Sequence, residues 1–235
     1  MLTFVLTCEH GGNRVPVSYV PLFKGHQDLL ASHRGYDIGA KELYEELQDL
    51  AEVHYFADTT RLLVELNRSL RSKTLFSSVT DTLPEREKER IIEKHYYPYR
   101  QEVERKMKEL IMAQKRLLHI SVHSFTPVLE GKERQADVGL LFDPARQFEK
   151  SFCNKWKSEM QKLQPDLWVR YNYPYLGISD GFPTYLRRIF PEKQYSGIEL
   201  EINQKFPLGD KMQWYELRRV VKESLQQVLT SYCHS

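Results

Sequence analysis

Short apolar runs recur along the chain, and each of them predicts a buried strand. They lie at residues 2–8, 53–56, 62–64, 117–122, 138–142, 167–171 and 197–202. Apolar residues at helical spacing predict helices at 38–50 and 209–232, and a helix is also predicted at 145–163. Pro84, followed by acidic residues in the first turn, predicts a helix at 84–115 with a break or kink at Pro98. Because strands and helices alternate without a linker or repeat, the pattern predicts one three-layer α/β domain spanning residues 1–235.

Polar and ionisable side chains follow or end several of these apolar runs. His10 comes after the first run, Arg68 after the third, and His123 after the fourth, while Glu201 lies near the end of the last. In an open α/β sheet the carboxyl ends of neighbouring strands line one crevice, where such folds bind ligands. Two histidines, acidic residues and an arginine at one rim predict a metal-assisted hydrolase.

The overall composition is that of an ordinary globular protein. The 235 residues are 41% hydrophobic and 28% charged, and 34 basic and 32 acidic residues give a net charge of +2. Basic residues are dispersed and no apolar stretch approaches the ~20 residues needed to cross a bilayer, so neither nucleic acid nor a membrane is an expected partner.

Compartment can be predicted from the start of the chain and from its cysteines. The first predicted strand begins so close to Met1 that no secretory signal fits ahead of it. Cys8, Cys153 and Cys233 are far apart and form no CxxC pair, which favours reduced thiols over a disulfide framework. We therefore expect a cytoplasmic protein.

His10 and His123 are the candidate metal ligands that the residues themselves suggest. Both follow apolar strands, and their small neighbours, in HGG and HSF, leave space around the ring. Neutral imidazole is a common zinc ligand, and a catalytic zinc takes three protein ligands while keeping one open position. The chain has no HExxH motif, so spacing leaves the third ligand open.

Five motifs carry a family resemblance. CEHGGNRVP, HRGYDIGA, RLLVELNR, HSFTP and GIELEIN occur in this order between residue 3 and about residue 206. The ordered set resembles the N-formylglutamate amidohydrolase family, within the zinc carboxypeptidase-like group. The resemblance implies a mixed central sheet in an α/β/α fold, one zinc ion and hydrolysis of an N-acyl amide on an acidic amino acid. The expected partner is thus a small-molecule N-acyl amino acid.

The resemblance also implies a ligand set. His10 matches the histidine that begins an H-x-x-E motif in the wider group, and His123 matches the late histidine ligand. The fourth position of the first motif is Asn13, a poor zinc ligand. Asp37 is the preferred third ligand because related amidohydrolases carry an acid in this region, and Glu9 is the alternative.

Catalytic and substrate-binding roles follow from the same resemblance. Glu201 falls on the family's general base, with Glu199 on the same face of the predicted strand. Arg68 and Asn67 fall on the motif that binds a substrate carboxylate, for which a guanidinium offers a two-pronged partner. Residues of the loop 172–177 fall on a segment at the rim of the site. From this loop, Asn172 and Tyr175 are expected to contact substrate.

Two other interpretations remain open at this point. Asn13 and Glu65 depart from the common pattern, which would suit a zinc-free binding or regulatory protein on the same scaffold. The basic segment 68–73 would suit a peptidase-like hydrolase of a larger, peptidoglycan-like substrate.

Overall fold

A six-stranded sheet forms the centre of the protein, whose computed structural model describes residues 2–233. The strands are β1 (Leu2–Cys8), β2 (Val53–Phe56), β3 (Arg116–Phe125), β4 (Val128–Leu129), β5 (Lys132–Glu133), β6 (Val138–Leu141), β7 (Val169–Tyr171) and β8 (Tyr195–Asn203). The central sheet has the order β2-β1-β3-β8-β6-β7, and β4 pairs with β5 in a separate hairpin. Strands β2, β1, β3 and β8 are parallel, whereas β6 is antiparallel to β8. The sheet is therefore mixed, as expected.

Helices cover both faces of this sheet. They are α1 (Gln27–Ala31), α2 (Ala40–Leu47), α3 (Glu85–Ile91), α4 (Tyr97–Met112), α5 (Gln147–Leu163), α6 (Phe182–Ile189) and α7 (Lys211–Cys233). Helices α2, α5 and α7 share one large apolar core with the sheet, while α4 and α6 pack on the opposite face. The predicted three-layer α/β/α architecture is confirmed.

The two faces of the sheet differ in polarity. In β3, Ile120 and Val122 enter the apolar core shared with α2, α5 and α7. The intervening Ser121 and His123 point to the opposite face, because neighbouring strand residues alternate in direction. All four are buried. The face that carries α4 and α6 is therefore the one that brings polar groups together inside the fold.

The predicted strand at 62–64 is wrong. This segment is a buried turn in which the Leu63 amide donates to the Thr60 carbonyl at 3.0 Å. The Leu62 carbonyl accepts from the Ser77 and Thr80 hydroxyls at 2.6 and 3.2 Å. Side-chain hydroxyls thus replace strand partners, and the apolar side chains fill a smaller core beside the sheet.

Three helical segments differ from the prediction. The predicted helix at 84–115 is divided into α3 and α4 by a wider π-type turn at Ile92–Tyr96, directly before Pro98. Proline lacks the amide hydrogen that continues an α-helical ladder, so the irregularity falls where the sequence indicated it. Helices α1 and α6 were not predicted, because both are short and α6 follows a segment rich in glycine and proline.

The structure describes the side chains of two of the three cysteines. Cys8 and Cys153 are buried free thiols, and the Cys233 side chain lies outside the described part. Within residues 2–233, no helix combines the length and apolar character needed to span a bilayer.

His119 is a fully buried histidine on the polar face of β3. Its Nε2 lies 2.8 Å from the Thr7 hydroxyl, and its Nδ1 lies 2.8 Å from the Tyr195 hydroxyl. Burial is the main cause that lowers its pKa to about 4, with Arg187 adding to the shift and Glu9 opposing it. The imidazole is therefore neutral in the folded protein near pH 7.

Replacing His119 should reduce the loss of stability in acid. The ordinary pKa of 6.5 exceeds the folded value of about 4, so the unfolded chain binds the proton more tightly. Stability is retained above pH ~6.5 and lost as pH falls towards ~4, by about 2 kcal/mol between pH ~8 and pH ~5.

Denaturant unfolding of wild type and His119→Gln at those two pH values measures this effect. The difference at the higher pH reports the altered hydrogen bonds alone. The stability advantage of the wild type should shrink at the lower pH, and an equal advantage at both would contradict the assignment.

Candidate active site

Three buried side chains that could hold a metal ion converge at the carboxyl end of the parallel strands. His10 follows β1, His123 lies near the end of β3, and Asp37 lies in the loop before α2. One possible ligand atom from each residue lies within 4.8 Å of the others. In the described part of the chain, this is the one such group of three or more.

Asp37 is placed beside the histidines by its backbone as well as its side chain. Its amide donates to the His10 carbonyl at 2.9 Å. Its Oδ2 lies 3.3 Å from Nδ1 of His10 and 3.0 Å from Nδ1 of His123. Two imidazole nitrogens and one carboxylate oxygen therefore face a common point, a donor set that fits a catalytic zinc site with an open position.

The other ring nitrogen of each histidine has a partner on the side away from Asp37. Nε2 of His10 is in short hydrogen-bond contact with Glu65. Nε2 of His123 lies 2.8 Å from the Ser121 hydroxyl and 3.4 Å from Oε2 of Glu9. Such partners fix the ring orientation of metal-binding histidines. Glu9 contacts His123 through this Nε2 and is not part of the group of side chains that could hold a metal ion, whereas Asp37 is.

Arg61 belongs to the site although the sequence analysis missed it. Its Nη1 donates to Oδ1 of Asp37 at 2.8 Å, and its Nε donates to Oε2 of Glu65 at 2.8 Å. Burial opposes ionisation of both carboxyls, but the charges of Arg61 and His10 outweigh it and lower their pKa values. Its position four residues before Glu65 in the RLLVELNR motif was the available signal.

His10, Asp37 and His123 line a cavity of about 210 Å³. Most of the residues in its wall are polar or charged, and the apolar ones include the buried Leu141 and the exposed Leu176. The lining residues are His10, Asp37, Arg61, Asn67, Arg68, His123, Ser124, Leu141, Tyr175, Leu176, Ser179, Asp180, Glu199 and Glu201. Seven of the eight residues predicted to bind metal or substrate or to act in catalysis line this cavity, and Asn172 does not.

Glu201 faces this cavity from β8. It pairs with His123 of the adjacent strand β3, which places the two side chains on one face. Burial raises the pKa of Glu201 to about 8, and Asp37 and Glu199 add to the shift while His123 opposes it. Its Oε2 is buried and has no hydrogen-bond partner among residues 2–233. Glu201 is therefore a buried carboxyl with one free oxygen at the cavity.

Space around Glu201 depends on the glycine opposite it. Gly139 in β6 pairs with Glu201 across the antiparallel ladder. A Cβ atom at position 139 would lie 1.9 Å from the Tyr173 carbonyl oxygen and 3.2 Å from the Cβ atom of Glu201. Only a residue without a side chain allows the loop after β7 to pass this close.

Asn67 is fully engaged by protein groups. Its Nδ2 donates to Oε1 of Glu199 at 2.9 Å and lies 3.3 Å from Nε2 of His123. Its Oδ1 accepts from the Phe182 amide at 2.6 Å. Asn67 thus holds Glu199 and the start of α6 in place. A direct contact with substrate would have to replace one of these bonds.

Arg68 keeps part of its guanidinium available. Its Nη1 donates to the backbone carbonyls of Asn67 and Asp180 at 2.8 and 3.0 Å. Nη2 and Nε make no hydrogen bond to the described residues. Because Arg68 lines the cavity, these nitrogens offer a donor edge to an anionic ligand.

The rim loop after β7 is fixed from below. Oδ1 of Asn172 accepts from the Phe142 and Gly177 amides at 3.1 and 2.9 Å. Buried Arg187, which pairs with buried Glu149 at 3.0 Å, also donates to the Gly177 carbonyl at 2.6 Å. Asn172 therefore supports the loop and is not among the cavity-lining residues.

Tyr175 and Asn13 have different placements relative to the cavity. Tyr175 lies on its rim, 45% exposed, with its hydroxyl 3.3 Å from Nη1 of Arg134. Asn13 donates to the Leu30 carbonyl at 3.0 Å and is not part of the metal-holding group. The departure from H-x-x-E at this position therefore removes no ligand from the convergent set.

Comparison with known proteins identifies the family. The sequence matches the family model of N-formylglutamate amidohydrolase over residues 2–206. The chain belongs to this family. Each of the five motifs of this amidohydrolase supplies a group to the site: His10, Asp37, the segment from Arg61 to Arg68, His123 and Glu201.

Solved structures resemble the amidohydrolase over nearly its whole length. A gene product from Agrobacterium tumefaciens has a TM-score of 0.81 at 22% identity, covering 97% of this chain and 91% of its own. An N-formylglutamate amidohydrolase from Ralstonia eutropha has a TM-score of 0.69 at 16% identity, covering 98% and 95%. At these identities the likeness supports the fold alone. No curated protein matches the sequence.

Proposed function

We propose that this amidohydrolase is a zinc enzyme that removes a short, formyl-type acyl group from the nitrogen of an acidic amino acid such as N-formylglutamate. The observation that carries the proposal is one cavity that combines a two-histidine, one-aspartate donor set with a free carboxyl oxygen and a free guanidinium edge. These are the three functions that cleavage of an acidic N-acyl amino acid requires: a Lewis acid site, a proton carrier and an anion-binding group.

His10, Asp37 and His123 would hold the zinc ion. Both Nδ1 atoms and Oδ2 of Asp37 face one point, and the Nε2 atoms already have partners that orient the rings. Zinc bound there would supply Lewis acidity, which makes water more acidic and a carbonyl group more electrophilic. Nitrogen and oxygen donors of this kind suit zinc.

Glu201 is assigned as the general base. The positive charge of a bound zinc ion would favour the ionised carboxylate, whose unpartnered Oε2 can then accept a proton from the attacking water and deliver it to the leaving amine nitrogen. Glu199 has less freedom, because Asn67 holds its Oε1 at 2.9 Å. The buried setting excludes bulk water from the proton's path between these two steps.

Arg68 is assigned to the substrate's carboxylate. Its Nη2 and Nε have no hydrogen-bond partner among the described residues, while Nη1 binds the Asp180 carbonyl, and the residue lines the cavity. Holding one carboxylate at Arg68 would direct the acylated nitrogen towards the metal-facing groups. Tyr175 and Leu176 at the rim would cover the bound molecule.

The first test concerns the metal. The protein purified without chelator should contain about one zinc ion per chain. His10→Ala, His123→Ala and Asp37→Ala should lose it, whereas Glu9→Ala should retain zinc with weaker binding, because Glu9 only orients His123. Elemental analysis decides. A wild-type protein without affinity for zinc would favour the binding or regulatory interpretation.

The second test concerns the base. Glu201→Gln preserves shape but cannot accept the proton, so turnover should fall ~10²–10⁴-fold while zinc content stays unchanged. Glu199→Gln is the matched control two residues away on the same face, and its effect should be much smaller. Steady-state kinetics on zinc-loaded variants measures both. The opposite order of effects would assign the base to Glu199.

The third test concerns substrate charge. A guanidinium lacking its carboxylate partner loses ~2–5 kcal/mol of interaction for a close charge pair. N-formylglutamate and N-formylaspartate should therefore be cleaved much faster than N-formylglutamine and N-formylasparagine. Arg68→Lys should erase much of this preference, mainly in kcat/KM, because an ammonium keeps the charge without the two-pronged geometry.

Kinetics on these matched acid and amide pairs, with wild type and Arg68→Lys, provides the measurement. Equal rates on the acid and the amide in the wild type would contradict the assignment of Arg68. That result would favour the hydrolase of a larger substrate.

A further inference from the structure

Arg61 binds two buried carboxylates, those of Asp37 and Glu65. On one side, its Nη1 binds Oδ1 of Asp37, the oxygen not directed at the two histidine Nδ1 atoms. On the other, its Nε binds Oε2 of Glu65, whose Oε1 contacts Nε2 of His10. One guanidinium therefore fixes a proposed ligand and the carboxylate that orients another.

The geometry leaves each oxygen of Asp37 with a separate task. Oδ2 faces both imidazoles and is also 3.3 Å from the Ser124 amide. Oδ1 is occupied by Arg61 at 2.8 Å and is directed away from them. A carboxylate held this way can offer a metal only one oxygen. Without the guanidinium, both oxygens would be free to bind.

Both oxygens of the Glu65 carboxylate also have hydrogen-bond partners. Its Oε1 accepts from the Asn67 amide at 2.9 Å in addition to its contact with His10. Its Oε2 is held by Arg61. Both Glu65 and Asp37 are nearly fully buried, whereas the Arg61 side chain is 26% exposed at the cavity wall. Arg61 thus brings a compensating charge from the cavity to two buried acids.

We propose that Arg61 is a positioning residue for the metal site: it makes Asp37 a one-oxygen ligand and keeps His10 oriented through Glu65. The inference rests on the proposed function, because it presupposes the metal. This role requires the guanidinium to bind Asp37 through Nη1 and Glu65 through Nε at the same time. A lysine ammonium would supply the charge but could not bond both carboxylates in this planar geometry.

The experiment uses Arg61→Lys and Arg61→Gln in the full chain. Zinc affinity, measured by competition with a chromophoric chelator, should fall ~10–100-fold in both variants. Co²⁺ replaces zinc as a spectroscopic probe. In the wild type its visible absorption should be that of a four-coordinate ion. In both variants it should weaken towards a five-coordinate spectrum, because Oδ1 of Asp37 becomes available.

Arg68→Lys is the matched control, since Arg68 lines the same cavity and contacts neither Asp37 nor Glu65. It should leave both the affinity and the Co²⁺ spectrum unchanged. Denaturant unfolding of each variant in the presence of chelator measures the stability of the metal-free fold, and so distinguishes a lost metal site from a lost fold. A variant that does not fold is replaced by Glu65→Gln, which should lower zinc affinity through His10 while leaving the Co²⁺ spectrum four-coordinate.

The outcomes separate the two proposals. Failure of the wild type to bind zinc or Co²⁺ would overturn the proposed function, and this inference with it. Normal binding by the wild type with unchanged affinity and spectrum in the Arg61 variants would overturn the inference alone. Wild-type behaviour of Arg61→Lys would show that charge suffices and that the two-carboxylate fork has no role. A rise in KM with an unchanged spectrum would make Arg61 a substrate-binding residue instead.

Discussion

Burial of acidic groups next to two imidazoles is the constraint on which the rest of this site depends. Ionised carboxylates can be buried only where donors satisfy their oxygens. Asp37 and Glu65 share the guanidinium of Arg61, and Glu9 is held by the Tyr99 and Ser121 hydroxyls. Glu201 is the exception, with one oxygen lacking a partner among the described residues. The acids whose oxygens accept hydrogen bonds from the protein thus have structural roles, whereas Glu201 keeps an oxygen free to exchange a proton.

The sequence revealed the parts of this site that lie at strand ends. Parallel strands direct their carboxyl ends to one edge, so His10 and His123 could be placed together from apolar runs alone. The pairing of His123 with Glu201 follows from the same geometry. Asp37 could be reached only through the family resemblance, because a loop position has no periodicity that predicts its contacts.

What the sequence did not reveal depends on contacts between distant, irregular segments. The apolar run at 62–64 suggested a strand, and an extended strand would have held Arg61 and Glu65 about 13 Å apart along the chain. The observed turn instead brings Glu65 to His10, which is 55 positions away, and lets Arg61 bind both Glu65 and Asp37. Ser121 was detectable in principle, since it alternates with apolar residues in β3 on the face of His123. The roles of Asn67 and Asn172 in supporting loops could not be inferred from composition, because asparagine suits turns and ligands equally.

The backbone bond between Asp37 and His10 has a consequence for how the chain is held. These residues are 27 positions apart, and the intervening segment leaves the sheet after β1 and returns just before α2. An ion bound by both side chains would close this excursion and would stabilise it by the free energy of binding, because the ion binds the folded segment and not the open one. Occupancy of the site would therefore protect residues 11–36 from proteolysis. Metal loss would be felt first as local opening of that segment, with the central sheet still intact.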